Sequence, residues 1–227
     1  MTDNQLPPAR PGFTELFWVR PSTRGRWAPA LRAGPAFLLP ALVLLASGAG
    51  ADAVLAALGS FAVLFGERRP YRIRWKSILM AGLLLVVVAA LFTILGAWVG
   101  PSSSITRELV IVTALGALTA AGVFGVNALR LGPPGPFFLV LVGGVAALVG
   151  RAGVPTASVV LYTAAGAVAA LAVSMAPALW RPHGPETAAT ETALAEIEQF
   201  VADNREPSRR HSVASSTLNA WSVLHDA

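Results

Sequence analysis

The sequence predicts an all-α polytopic membrane protein with six transmembrane helices, both termini cytoplasmic, and a short cytoplasmic helical tail. Three observations lead there. Of 227 residues, 55% are hydrophobic and only 13% charged, against about a quarter charged in a soluble domain. The apolar residues collect into long uncharged runs instead of recurring with a period of 2 or 3.6. The basic excess, +5 at pH 7 with a sequence pI near 10.9, is sorted by loop as in a membrane protein. These features exclude an ordinary soluble enzyme. The absence of cysteine excludes thiolate metal sites, thiol catalysis and a disulfide framework.

The chain divides into an amino-terminal cytoplasmic or interfacial segment (residues 1–30), a transmembrane domain (31–180) and a tail (181–227). In the first, Phe13, Leu16 and Phe17 fall on one helical face beside Trp18, the pattern of a short interfacial helix; a disordered tail is the alternative. No cleavable signal peptide is visible, so the first span serves as its own insertion signal.

A helix needs about 20 apolar residues to cross roughly 30 Å of hydrocarbon. The first apolar stretch, residues 33–66, contains one charge, Asp52, and as a single helix it would be about 51 Å long, too long for a bilayer. Gly48, Gly50 and Asp52 supply turn chemistry at its middle, giving two crossings of marginal length at 32–47 and 53–65. Residues 78–99 and 109–129 are full-length spans, separated by Pro101 and the serine run after it. Residues 137–149 and 157–179 complete the six, separated by Arg151, Gly153 and Pro155; the fifth span is short.

Counting Lys and Arg by loop sets the orientation. With the amino terminus inside, the cytoplasmic side holds fifteen of seventeen cations, leaving Arg107 and Arg151 on the other. An even number of crossings puts both termini on that side, so the span count and the charge bias support each other. The high pI then reflects basic residues beside anionic headgroups, each attracted by about 1 kcal/mol, and no nucleic-acid partner is needed.

Close packing inside a bilayer relies on small residues. Gly96 with Gly100, Gly116 with Ala120, Ala121 with Gly125, and Gly166 with Ala170 are small pairs at a spacing of four. No internal sequence repeat stands out. After Trp180, residues 181–185 break the helix, and Pro185 with Glu186 suits the first turn of a new one. Leu194, Ile197 and Val201 make an apolar stripe there. After an interruption at 204–208, Ala214, Leu218, Trp221 and Leu224 suggest a second amphipathic helix. Two such helices make no core alone: their apolar faces cover each other, dock on the bundle or meet a partner. The chain stops within the second, which points to the amino-terminal portion of something longer. Arg209, Arg210, His211 and Ser212 read as a solvated turn more readily than as a kinase site.

Hydrolytic chemistry inside a membrane needs a nucleophile with a base, or metal ligands, at membrane depth. All three histidines lie in the tail, Ser60, Ser77 and Ser158 lack a base, and there is neither a GxxxxGK[ST] loop nor an acidic metal cluster. The sequence therefore predicts no enzyme, no cofactor and no metal. Asp52, Glu67 and Glu108 sit at span ends, which weakens any proton relay through buried carboxylates. The better site is cytoplasmic. Asn127, Arg130, Gly132, Pro133, Pro134, Gly135 and Pro136 make a rigid connection into the fifth span, whose amino-terminal amides favour an anion. Arg32 at the start of the first span and the basic loop Arg68, Arg69, Arg72, Arg74 and Lys76 add positive charge at the same level. Together they could draw an organic anion towards a pathway, although each arginine is also readable as a topology determinant or headgroup contact.

Three local motifs go further. Leu31-Arg32-Ala33 leads into a first span containing Pro40. Gly66-Glu67-Arg68-Arg69-Pro70-Tyr71-Arg72 links spans two and three, and Leu129-Arg130-Leu131-Gly132-Pro133-Pro134-Gly135-Pro136-Phe137-Phe138 links four and five. With the order of elements and the tail motif Leu218-Asn219-Ala220-Trp221, they resemble the fusaric acid resistance (FUSC) or aromatic acid exporter family. The resemblance covers nearly the whole chain but only the first half of the longer members. It implies efflux of aromatic carboxylates or similar small organic anions across the inner (plasma) membrane, driven by the proton gradient; Arg32, Asn127 and Arg130, singled out above from the residues themselves, are then the expected cytoplasmic entrance. It also implies a transport unit of two parts, a homodimer or a pairing with a second six-helix half. The alternatives are a homodimeric six-helix anion channel, as in the related plant channels, and a non-transporting membrane scaffold.

Overall fold

The computed structural model describes residues 27–66, 69–101, 104–128, 135–202 and 210–225; the interfacial helix expected near Phe13 lies outside them. Helix α1 (Trp27–Ala46) contains Pro35 and Pro40, which membrane helices tolerate where neighbours satisfy the freed carbonyls. It ends at Gly48, whose φ of 81° is a left-handed conformation open to glycine. There the Gly48 and Ala49 amides donate back to the Leu45 and Leu44 carbonyls at 3.2 and 2.8 Å, closing the helix end. Helix α2 (Ala53–Ser60) tightens into a 3-10 turn at Phe61–Leu64. The turn chemistry expected at 48–52 is therefore present, as a glycine cap followed by the short turn Gly50–Asp52.

Helix α3 (Tyr71–Val99), α4 (Ile105–Ala128), α5 (Phe137–Arg151) and α6 (Thr156–Met175, prolonged by a 3-10 turn at Ala176–Leu179) follow, and then α7 (Gly184–Ala202) and α8 (Arg210–His225). Among the described residues, α3, α4 and Thr156–Leu179 are long and apolar enough to cross a membrane. Ala33–Ala46, Ala53–Leu64 and Phe137–Arg151 are shorter apolar helices. Each of the six expected apolar stretches thus forms a helix, three of spanning length and three short. Three helix starts differ from expectation, one of them α4, which begins at Ile105 instead of 109. α1 begins at Trp27 and α3 at Tyr71, so Arg72, Arg74 and Lys76 are not in a loop but in the first turns of α3. Counting uncharged runs misses amphipathic turns, whereas Pro70, with its fixed φ, suits the start of a helix.

The packing is dominated by two close crossings. α2 lies on α6 and α5 lies on α3, with α3 and α6 adjacent, α1 against α2 and α6, and α4 on the flank of α5. At the first crossing, a Cβ on Gly59 would lie 1.7 Å from the Thr163 carbonyl oxygen, and one on Gly166 would lie 1.9 Å from that of Ala56. At the second, Gly96 and Gly150 stand in the same relation to Ala147 and Thr93, both at 2.1 Å. Each glycine therefore sets a Cα–H against the facing carbonyl, a contact worth about 0.5–1 kcal/mol, and lets two backbones approach as side chains would not allow. Ala-x-x-Gly on the short helix meets Thr-x-x-Gly on the long one both times, and Thr93 and Thr163 are fully buried. Of the small pairs expected from the sequence, Gly96 and Gly166 take part. Gly100, Gly116 and Gly125 have no neighbour within 4 Å of an added Cβ among the described residues.

α7 and α8 form a hairpin joined by a seam of Ala189, Ala193, Ala220 and Val223, with the Ser212 hydroxyl donating to the Glu196 carboxylate. Of the three fates expected for the tail's apolar faces, the first holds only for small residues. Leu194, Val201, Leu218, Trp221 and Leu224 remain exposed.

Candidate functional site

The basic residues after α2 do not act as one patch. Gly66 reverses the chain with φ 72°, and a Cβ there would lie 3.2 Å from Ser77 Cβ and 3.4 Å from Arg74 Cγ, so the turn folds directly onto the start of α3. Pro70 receives the Arg74 amide at 2.9 Å and sets the phase of the helix. That phase turns Arg74 and Ser77 inward and Arg72 and Lys76 outward. Arg74 is 2% exposed and Ser77 5%. Arg69 Nη1 donates to Ser77 Oγ at 3.0 Å. Arg72 and Lys76 are exposed, and Lys76 Nζ stands 5.8 Å from the centroid of the Trp75 ring. A buried guanidinium requires partners, and neither Arg74 nor Arg69 is without them.

Asn127 is exposed near the end of α4, its amide donating to the Val123 carbonyl of its own helix at 2.9 Å. Gly135 adopts φ 82° just before α5, and Pro136 receives the Leu139 and Val140 amides, so the turn into α5 is built as its glycine and prolines suggest. Arg68, Arg130 and Gly132 lie outside the described residues. Arg32 sits in the second turn of α1.

At the opposite end of the bundle, Arg151 at the end of α5 forms a two-pronged ion pair with Glu108 in the first turn of α4, at 2.9 and 2.6 Å. The pair ties α5 to α4, of which only 17% of the apolar window is buried, against 44% for α3. Arg107 stands 5.5 Å from the Trp98 ring.

Sequence reasoning missed a surface that α3 displays. Trp75, Leu79, Leu83, Val87, Leu91, Ile94 and Trp98 are all exposed and recur at intervals of three or four, one face of the helix. The two tryptophans are separated by about 34 Å along the axis, close to the thickness of a bilayer core, and each lies beside a cation. Tryptophan favours the two membrane interfaces and aliphatic side chains favour the lipid between them. The signal was available as two tryptophans bracketing an apolar run.

Two open grooves indent the bundle. One, of about 500 Å³, is lined by Leu31, Pro35, Val173 and Pro177, with Trp180 and Arg181 at its rim. The other, of about 470 Å³, runs between α4 and α5 from Phe137 to Arg151. Neither is lined by Arg69 or Arg74. The apolar helices and the tryptophan-bracketed face define the class: this is a membrane-embedded α-helical protein. No protein-family model, characterised protein or solved structure matches the chain.

Proposed function

We propose that the protein is an efflux transporter, or transporter half, for small organic anions, with aromatic carboxylates as the substrate class. It crosses the plasma membrane six times with both termini cytoplasmic. The observation that carries this reading is Arg74, a cation enclosed at one end of an apolar bundle and clustered with Arg69 and Ser77. Ionisable groups enclosed by membrane helices are costly, and by default they mark an ion or substrate pathway. The end that holds Arg74 also holds Arg69, Arg72, Lys76 and Arg181, whereas Arg107 and Arg151 sit at the other, so the positive-inside rule makes it cytoplasmic. Arg32, Asn127, Arg130, Gly132 and Gly135 fall at this end in the six-span topology and complete the anion entrance. The resemblance to aromatic acid exporters supports the choice of substrate and a unit of two copies.

The test is transport by the full chain in liposomes. Aromatic carboxylate should move down an imposed pH gradient, and Arg74→Gln and Arg130→Gln should each slow it at unchanged expression. If no aromatic carboxylate moves with or without the gradient, the transport reading fails. Anion current without pH coupling would assign a channel instead. Because the chain lacks cysteine, a cysteine placed at Ser102 reports topology: labelling from the cytoplasmic side would reject the six-span orientation.

A further inference from the structure

The α7–α8 hairpin carries a face that its own seam leaves uncovered. Relative to the seam residues Ala193 and Ala220, Leu194 and Trp221 are each one position further along their helix, an offset of about 100°. In an antiparallel pair, equal rotations in the chain direction turn both helices towards the same side. Leu194, Ile197 and Val201 of α7 and Trp221 and Leu224 of α8 therefore share one face, with Leu218 at its edge, and all six are exposed.

We propose that this face is the contact between two copies of the chain, whose hairpins pair across a twofold axis into a four-helix bundle. The inference rests on the two-copy unit of the proposed function and supplies its surface. Charge favours protein over lipid: residues 184–225 carry six acidic side chains and three arginines, so an anionic headgroup layer repels the hairpin. Charge also sets the pairing. α7 carries four glutamates and no cation, and α8 carries Arg210 and no acid. Glu191 and Glu198 line the outer edge of the apolar face on α7. Laying α7 over the partner's α8 keeps like charges apart, whereas α7 over α7 would oppose them.

The size is adequate. A face about 24 Å long and two helices wide covers roughly 500 Å² per copy, so the pair buries about 1,000 Å² in total, the lower bound for a specific interface. Confinement of both copies to one bilayer raises their effective concentration, as a linker does. An isologous contact of this kind closes at two copies.

The experiment is the mass of the full chain in nanodiscs or mild detergent, measured across a dilution series. The wild type should be a dimer. Leu218→Glu with Trp221→Glu should shift dissociation to at least tenfold higher concentration. The exposed pair Glu191→Lys with Glu198→Lys, which leaves the apolar face and seam intact, should weaken the dimer less and make its stability depend differently on salt. A dimer indifferent to both variants overturns the hairpin contact and leaves the two-copy unit standing. A monomeric wild type overturns both. Trp221 fluorescence that shifts on contact with anionic vesicles at constant mass would place the face on lipid and reject the proposal.

Discussion

Substitution of Gly59 by alanine tests the first close crossing. The new Cβ would sit 1.7 Å from the Thr163 carbonyl oxygen and 2.7 Å from the Ala167 amide nitrogen. Both are backbone atoms of α6 and cannot swing aside. Restoring ordinary contact needs α2 and α6 to separate by about 1.5 Å, more than the gap at which packed atoms forfeit half of their attraction. The reciprocal Cα–H contacts, about 0.5–1 kcal/mol each, are lost as well. With overpacking costs of about 1–3 kcal/mol, and up to about 1 kcal/mol returned by the better helix propensity of alanine, Gly59→Ala should destabilise by about 1–5 kcal/mol. Unfolding in mixed micelles at rising denaturing-detergent fraction, followed by tryptophan fluorescence, measures it. Gly144→Ala is the control, because nothing lies within 4 Å of a Cβ there; it should be neutral or slightly stabilising. Gly166→Ala should cost a similar amount, and the double variant less than the sum, since one separation relieves both clashes. If Gly59→Ala unfolds at the same detergent fraction as Gly144→Ala, the crossing is not what holds α2.

Three further outcomes follow from individual contacts. Glu108→Gln should cost no more than about 1 kcal/mol in the same assay, because the pair is partly exposed at 41% and 23%, and exchanging the two residues should recover most of it. Ser60→Ala removes an interhelical hydrogen bond to the Ala36 carbonyl at 2.9 Å and should cost about 0.6–1.7 kcal/mol; Ser174→Ala, at a buried hydroxyl with no hydrogen-bond partner among the described residues, should be neutral or stabilising, and a larger loss at Ser174 than at Ser60 would refute this ordering. In a bilayer, a variant keeping Trp98 as its sole tryptophan should be quenched by headgroup-level probes and spared by probes at the membrane centre.

The apolar runs, the turn at Gly48 to Asp52 and the tail helices were legible because each depends on a few neighbouring residues. The close crossings were not. Gly96 stood out as a small residue spaced by four from Gly100 on its own helix, but what it faces is Ala147 of α5, and such a meeting depends on which helices the fold brings together. The Ala-x-x-Gly and Thr-x-x-Gly motifs also escape a repeat search, because the two copies of each are offset differently along the chain. At the candidate site the residue types were legible and the geometry was not. Arg72 and Arg74 look alike in a basic run, yet two positions on a helix are about 200° apart. Only the start of α3 at Tyr71 decides which of them is enclosed.

The lengths of the helices explain why the glycines fall where they do. α2 with its 3-10 turn is roughly 20 Å long and α5 about 22 Å, short of a hydrocarbon core of about 30 Å. In the proposed six-span topology, a helix that short leaves backbone groups at its ends within membrane depth, where lipid cannot hydrogen-bond them. They are tolerable only where protein encloses them, which requires each short helix to lie close against a longer one along its exposed carbonyls. α2 does so on α6 and α5 on α3, each through a reciprocal pair of glycines. α4 is of spanning length and makes no such close crossing among the described residues, where nothing lies within 4 Å of a Cβ added at Gly116 or Gly125. In that topology the same shortness sets the turn after α2 inward from the membrane surface, and that turn is the one that packs on Arg74. Lengthening α2 by one helical turn of leucines after Leu64 should therefore push Gly66 outward and expose Arg74, and an arginine at position 74 that remains as inaccessible to a guanidine-modifying reagent as before would break the link between helix length and the buried cation.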